Sequence, residues 1–191
     1  MSPILGIWAS SIQPSLNASS YESIATVTVG SGGQSSISFT SIPSTYKHLQ
    51  IRGIVKSGRA ADNANIYMGF NNDTTTGNYY GHYLYGDGST AGAGGKIGSS
   101  TNNVIWATGT NSSSLILTSF VIDILDYAST SKNKTTRVLQ GYDQNGDGRM
   151  TLISGLWMNS STAISSIQFT EATGASPAFS QYSSFALYGI K

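Results

Sequence analysis

Lys47-His48-Leu49-Gln50-Ile51-Arg52-Gly53-Ile54-Val55-Lys56 is the stretch on which the reading of the fold turns. Leu49, Ile51, Gly53 and Val55 share one parity. His48, Gln50, Arg52, Ile54 and Lys56 share the other. Successive side chains of a strand point to opposite faces. The alternation is therefore that of a strand with Leu49, Ile51 and Val55 turned toward a core and the second set turned away from it. Ile54 is a lone apolar residue among polar neighbours on that second face, which is ordinary for a surface.

The same period recurs on both sides, and no long segment carries helical periodicity. Residues 23–29 form a first strand that ends at Gly30-Ser31-Gly32-Gly33, a turn in which glycine supplies positive φ. Residues 36–42 follow, with Ile37 and Phe39 on one face and Pro43 as the stop. Residues 65–71 place Ile66, Met68 and Phe70 inward. Residues 79–85 are aromatic and end in Gly86-Asp87-Gly88. Residues 102–107 make a short strand, and residues 115–126 a long one that should be bent or bulged. Residues 135–142 and 149–157 flank Asp143-Gln144-Asn145-Gly146-Asp147-Gly148 and read as a hairpin. Residues 163–170 and 183–190 close the chain. Ten or eleven short strands separated by turn signals predict an all-β, antiparallel, jelly-roll-like β-sandwich. Residues 86–103, rich in Gly, Ala, Ser and Thr, are expected to form a mobile loop. Ser35-Ser36-Ile37-Ser38-Phe39-Thr40 echoes Ser165-Ser166-Ile167-Gln168-Phe169-Thr170, which in a Ser-rich chain reads as coincidence.

Residues 1–20 stand apart. The apolar start Ile4, Leu5, Ile7 and Trp8 leads into a Ser- and Asn-rich run, so residues 1–20 are expected to be an extended attachment arm and 21–191 the sandwich domain. Exposed apolar residues of that kind are costly, which favours their burial against a partner.

Composition excludes several classes. A chain of 191 residues suits a single domain. There is no cysteine, hence no disulfide and no thiolate metal site. Charged residues are 10% of the chain, against about a quarter in an average globular domain. With 39% hydrophobic and 10% aromatic residues the chain is nonetheless a folding sequence, its polar positions filled by Ser, Thr, Asn and Gly. The net charge of +1 comes with no basic stripe, so no nucleic-acid partner is expected. No apolar run reaches the roughly 18 residues of a spanning helix, and no membrane partner is expected. The N-terminus lacks the basic region and long apolar stretch of a secretory signal, which predicts synthesis in a cytoplasm without export.

Four constellations could carry chemistry. Asp143, Asn145 and Asp147, with Gly148, match the start of a Ca²⁺ loop, in which alternate oxygens converge on one cation. The twelfth position is Ser154 where a bidentate Glu is needed, and the flanks are strands. A polar hairpin turn is the favoured reading, Ca²⁺ the alternative, and no other cofactor is expected. Tyr79, Tyr80, Tyr83 and Tyr85 around His82, with Asp87, could form a sugar platform, since aromatic faces stack on sugar C–H faces. Tyrosine also suits a half-buried strand, and packing is the favoured reading. His48 and His82 have no acidic neighbour in sequence. Asp123 and Asp126 lie three apart on one strand, hence on opposite faces, and Glu22 and Glu171 are isolated, which speaks against a glycosidase pair.

Tyr21-Glu22-Ser23-Ile24-Ala25-Thr26 and Ile42-Pro43-Ser44-Thr45-Tyr46-Lys47-His48-Leu49-Gln50-Ile51-Arg52-Gly53 resemble a family of uncharacterised tailed-bacteriophage proteins. So do Leu84-Tyr85-Gly86-Asp87-Gly88-Ser89, Ser154-Gly155-Leu156-Trp157 and the ending Phe185-Ala186-Leu187-Tyr188-Gly189-Ile190. The resemblance spans nearly all of residues 1–191. It implies a non-enzymatic virion structural protein displayed on the particle: a capsid decoration or cement protein, a spike or a tail-fibre component, made in the host cytoplasm. Its partners would be capsid or tail proteins and its own copies, a trimer by analogy with three-fold phage assemblies. A receptor- or carbohydrate-binding module for a host surface glycan is the alternative, and a glycan hydrolase stands behind both.

Overall fold

The computed structural model describes residues 20–144 and 147–191. It is all-β. Among the described residues twelve strands occur: β1 (Tyr21–Thr28), β2 (Ile37–Phe39), β3 (His48–Val55), β4 (Asn63–Phe70), β5 (Tyr79–Gly86), β6 (Ala91–Ser99), β7 (Asn102–Thr108), β8 (Thr118–Leu125), β9 (Lys134–Asp143), β10 (Gly148–Trp157), β11 (Ile167–Glu171) and β12 (Ser184–Ile190). Eight of them make one sheet in the order β1-β12-β3-β8-β9-β10-β5-β6, and four make a second in the order β2-β11-β4-β7. All the strand pairings are antiparallel. The result is the antiparallel β-sandwich that the alternation predicts. Ile4, Leu5, Ile7 and Trp8 of the expected arm, and Asn145 of the expected Ca²⁺-loop alternative, lie outside the described residues.

The core is the alternating set. Leu49, Ile51 and Val55 of β3 are fully buried, as are Ile66, Met68 and Phe70 of β4. Phe185 of β12 is the hub of the packing: its ring meets Phe120 at 4.9 Å, Phe169 at 5.0 Å and Phe179 at 5.7 Å. Gly53 sits in this core strand because nothing larger fits. A Cβ there would lie 2.1 Å from the carbonyl oxygen of Ser184 and 2.8 Å from the Phe120 ring. A second cluster stacks Phe70, Tyr79 and Trp157, with Trp157 5.5 Å from Phe70.

Three expectations are corrected. Residues 86–103 are not a structureless loop, since they contain β6, paired along β5. The alternation is hidden because the inward positions are glycines: the Tyr85 ring lies over Gly92 and the Tyr83 ring over Gly94, each within 2.6 Å of where a Cβ would stand. The long strand of residues 115–126 is shorter, since Leu115 is exposed ahead of β8 and Asp126 turns away with φ of 50°. Residues 163–166 precede β11 and do not belong to it. The sequence echo proves to join neighbours, with Ile37 opposite Phe169 and Phe39 opposite Ile167.

On the second parity of β3 the burial is mixed. Arg52 and Ile54 are exposed, whereas Gln50 is covered and Lys56, one residue past β3, is buried. Lys56 directs its ammonium to the carbonyl oxygens of Ser112 and Ser113, and desolvation lowers its pKa.

Candidate functional site

The pleat puts every second residue of the larger sheet on its outer face, and the strand registers align these residues into rows across the strands. One row reads Ala93 (β6), Leu84 (β5), Leu152 (β10), Leu139 (β9) and Val121 (β8). It continues into Arg52 of β3. Leu84, Leu152 and Leu139 are 59%, 53% and 52% exposed, which makes the row a continuous apolar stripe on the surface. The next row toward one strand end is polar: His82, Ser154, Arg137, Asp123 and Gln50. The next row toward the other end alternates bulk and absence: Gly86, Met150, Gly141, Ser119 and Ile54, with Met150 65% exposed.

These rows shape two depressions. A dent of ≈ 410 Å³ lies over Ser154, walled by His82, Leu84, Arg137 and Leu152. A wider open groove of ≈ 990 Å³ runs over Gly86, Gly141 and Gly148, walled by Val121, Leu139 and Met150 and by the turn at Asp87. Arg137 and Asp123 stand opposite each other on β9 and β8 without closing an ion pair. Asp123 instead accepts from the Gln50 amide at 2.7 Å, and Gln50 in turn accepts from Arg52. The Arg52 guanidinium lies 5.2 Å from the Tyr21 ring and 5.9 Å from Tyr188, so the β3 side of this face is self-satisfied.

The tyrosines of β5 do not form one platform. Tyr79 is fully buried, its hydroxyl accepting from the Phe70 N–H at 2.9 Å, and burial raises its pKa to about 12. Tyr80 has the opposite parity and faces outward with His82 and Leu84. Tyr83 and Tyr85 come together with Trp106 of β7, Tyr83 meeting it edge-on at 4.9 Å. Between Tyr85 and Trp106 lies the Arg149 guanidinium, 3.9 Å and 4.1 Å from the two ring centroids. That cation occupies one face of Tyr85 and one face of Trp106 that a sugar would otherwise use. Asp87 is committed as well: its carboxylate accepts from the backbone N–H groups of Thr90 and Ser89, which hold its pKa down.

Asp143 and Asp147 close a hairpin, with Asp143 opposite Gly148 and the Gln144 N–H donating to the Asp147 carbonyl at 2.6 Å. Among the described residues no three His, Asp or Glu side chains gather as a metal group. His48 and His82 lie apart. His48 Nδ1 accepts the Asp126 backbone N–H at 3.0 Å and so caps the end of β8. Asp126 lies beyond the strand and pairs with Lys132 at 3.1 Å, away from Asp123. Glu171 holds Thr173 and Ala175 in a turn.

The apolar stripe was not anticipated from sequence. Its signal is doubled apolar residues in strands that elsewhere alternate: Val121-Ile122, Val138-Leu139 and Leu152-Ile153 put one apolar side chain on each face. Compared with known protein families, with curated proteins and with solved structures, the chain finds no match in any of the three.

Proposed function

We propose that the chain is a non-enzymatic structural protein of a tailed-bacteriophage virion, displayed on the particle surface as a capsid decoration, spike or tail-fibre component, and that it works by joining surfaces. The observation that carries the reading is the stripe Leu84–Leu152–Leu139–Val121. A rigid sheet face that holds a row of half-exposed leucines in open water is a surface awaiting cover. Covering the exposed part of each large side chain stabilises by on the order of 1 kcal/mol. The low charge of the chain as a whole and its hydroxyl- and amide-rich surface fit a protein that works by contact. The resemblance of residues 21–26, 42–53 and 185–190 to phage proteins supplies the setting, with capsid or tail proteins and further copies of the chain as partners.

The test is direct. Purified particles of the encoding phage should contain the chain in a fixed copy number by quantitative mass spectrometry, accessible to antibody on intact particles. The double variant Leu139→Asp/Leu152→Asp should keep the wild-type circular dichroism spectrum and be lost from particles. Absence of the wild-type chain from purified particles, or undiminished incorporation of the folded variant, would remove this reading.

A further inference from the structure

We infer that the outer face of the larger sheet binds a second copy of this chain, in a two-fold pair whose axis runs parallel to the strands between β9 and β10. This rests on the reading of the stripe as an assembly surface and names what covers it. The stripe is centred on that line, with Leu139 and Val121 on one side and Leu152 and Leu84 on the other. Turning one copy by half a turn about the axis exchanges β9 with β10 and β8 with β5 while keeping each row in place. Leu139 of one copy then meets Leu152 of the other, and Val121 meets Leu84.

The rows on either side fit under the same operation. Met150, the most exposed residue of its row, comes to the groove over Gly141 of the other copy. Arg137 comes to the dent over Ser154, and Asp123 faces His82, so a carboxylate meets a side chain that can donate to it. Knobs meet hollows in both directions because a two-fold contact uses the same patch twice. An axis along the stripe itself would set every stripe residue over its own copy, bringing Arg52 against Arg52, like charge on like, and would move Asp123 from His82 to Ser119. A three-fold ring needs two different complementary patches. The stripe is one patch that can meet itself, so the two-fold pair replaces the trimer expected by analogy. Two sheets packed face to face align to within about 30°, so the pairings hold best near the axis.

The chain has no cysteine, so single introduced thiols report cleanly. Light scattering and sedimentation of the full chain should give the mass of two copies, and Leu152→Asp should reduce it to one while leaving the spectrum unchanged. Leu84→Cys mixed with Val121→Cys should form disulfide-linked pairs under mild oxidation. Neither variant alone should link, because each thiol sits roughly 14 Å (three strand spacings) from its own copy. A monomer at all concentrations, a trimer, or linking by either variant alone as fast as by the mixture would overturn the two-fold pair. The outcome is separate from that for particles: a pair absent from virions would refute the virion reading and leave this one standing, and a monomer that still incorporates would do the reverse.

Discussion

Asp73 shows how one carboxylate can secure two parts of this sandwich. It lies in the turn after β4 and accepts from the Trp157 indole N–H at 2.7 Å, the Asn78 amide at 2.7 Å and the Thr75 backbone N–H at 2.9 Å. Burial pushes its pKa up, but these donors outweigh it and hold the carboxyl at about 2. A carboxyl whose folded pKa lies below its unfolded value of 3.8 adds stability that is complete above 3.8 and is lost as pH falls through about 2. The size, discounted for partial exposure, is about 1–2 kcal/mol. Urea unfolding at pH 5 and at pH 2 should therefore show a loss of about that size in the wild type that Asp73→Asn lacks. Equal pH dependence in both proteins would show that the carboxylate is not what joins this turn to Trp157. Nothing in the spacing of Asp73 and Trp157 along the chain announces the contact, since 84 residues separate them.

At the scale of the element, alternation was the legible signal. The reading of residues 47–56 placed Leu49, Ile51 and Val55 in the core, where all three are fully buried, and left Ile54 on the far face, where it is 42% exposed. Ile51→Ala should cost about 2–5 kcal/mol, through lost transfer energy plus a cavity. Ile54→Ala should cost within about 0.5 kcal/mol, because it lies outside the central stripe. Chemical denaturation of the two variants compares them, and equal losses would mean that the outer face is as buried as the inner one. β6 went unrecognised because its inward positions are glycines whose missing side chains are supplied by Tyr83 and Tyr85 of the next strand. Gly94→Val should drive the Tyr83 ring off its edge-on contact with Trp106. A loss of about 1–3 kcal/mol is expected, with a changed near-ultraviolet dichroism spectrum. An unchanged aromatic signal would show that the tyrosine cover does not hold β6 in place.

Over the whole molecule, the hairpin between β9 and β10 tests whether an ion takes part in stability. With Asp143 opposite Gly148 and the Gln144 N–H on the Asp147 carbonyl, the turn closes on its own backbone. Excess chelator should leave the melting temperature within about one or two degrees. An ion present at 100 times its dissociation constant would contribute about 2.7 kcal/mol, which moves a melt of this size by several degrees. The fold class was determined by the sequence alone: period-2 alternation, turn residues and the lack of helical spacing leave little else for the chain to do than form a sandwich. The core faces of β3 and β4 were determined in the same way, because parity within one strand is a local property. The candidate site was decided only by tertiary structure. Which strands are neighbours, and in what register, sets whether Leu84, Leu152, Leu139 and Val121 are four scattered surface residues or one stripe. The same holds for the tyrosines of β5, whose separation to opposite faces follows from the pleat, while the covering of Tyr85 by Arg149 depends on a strand some sixty residues away in the chain. Alternation acts between adjacent residues and can be read along the chain. Register is fixed by packing the whole set of strands at once, and no short stretch of sequence contains it.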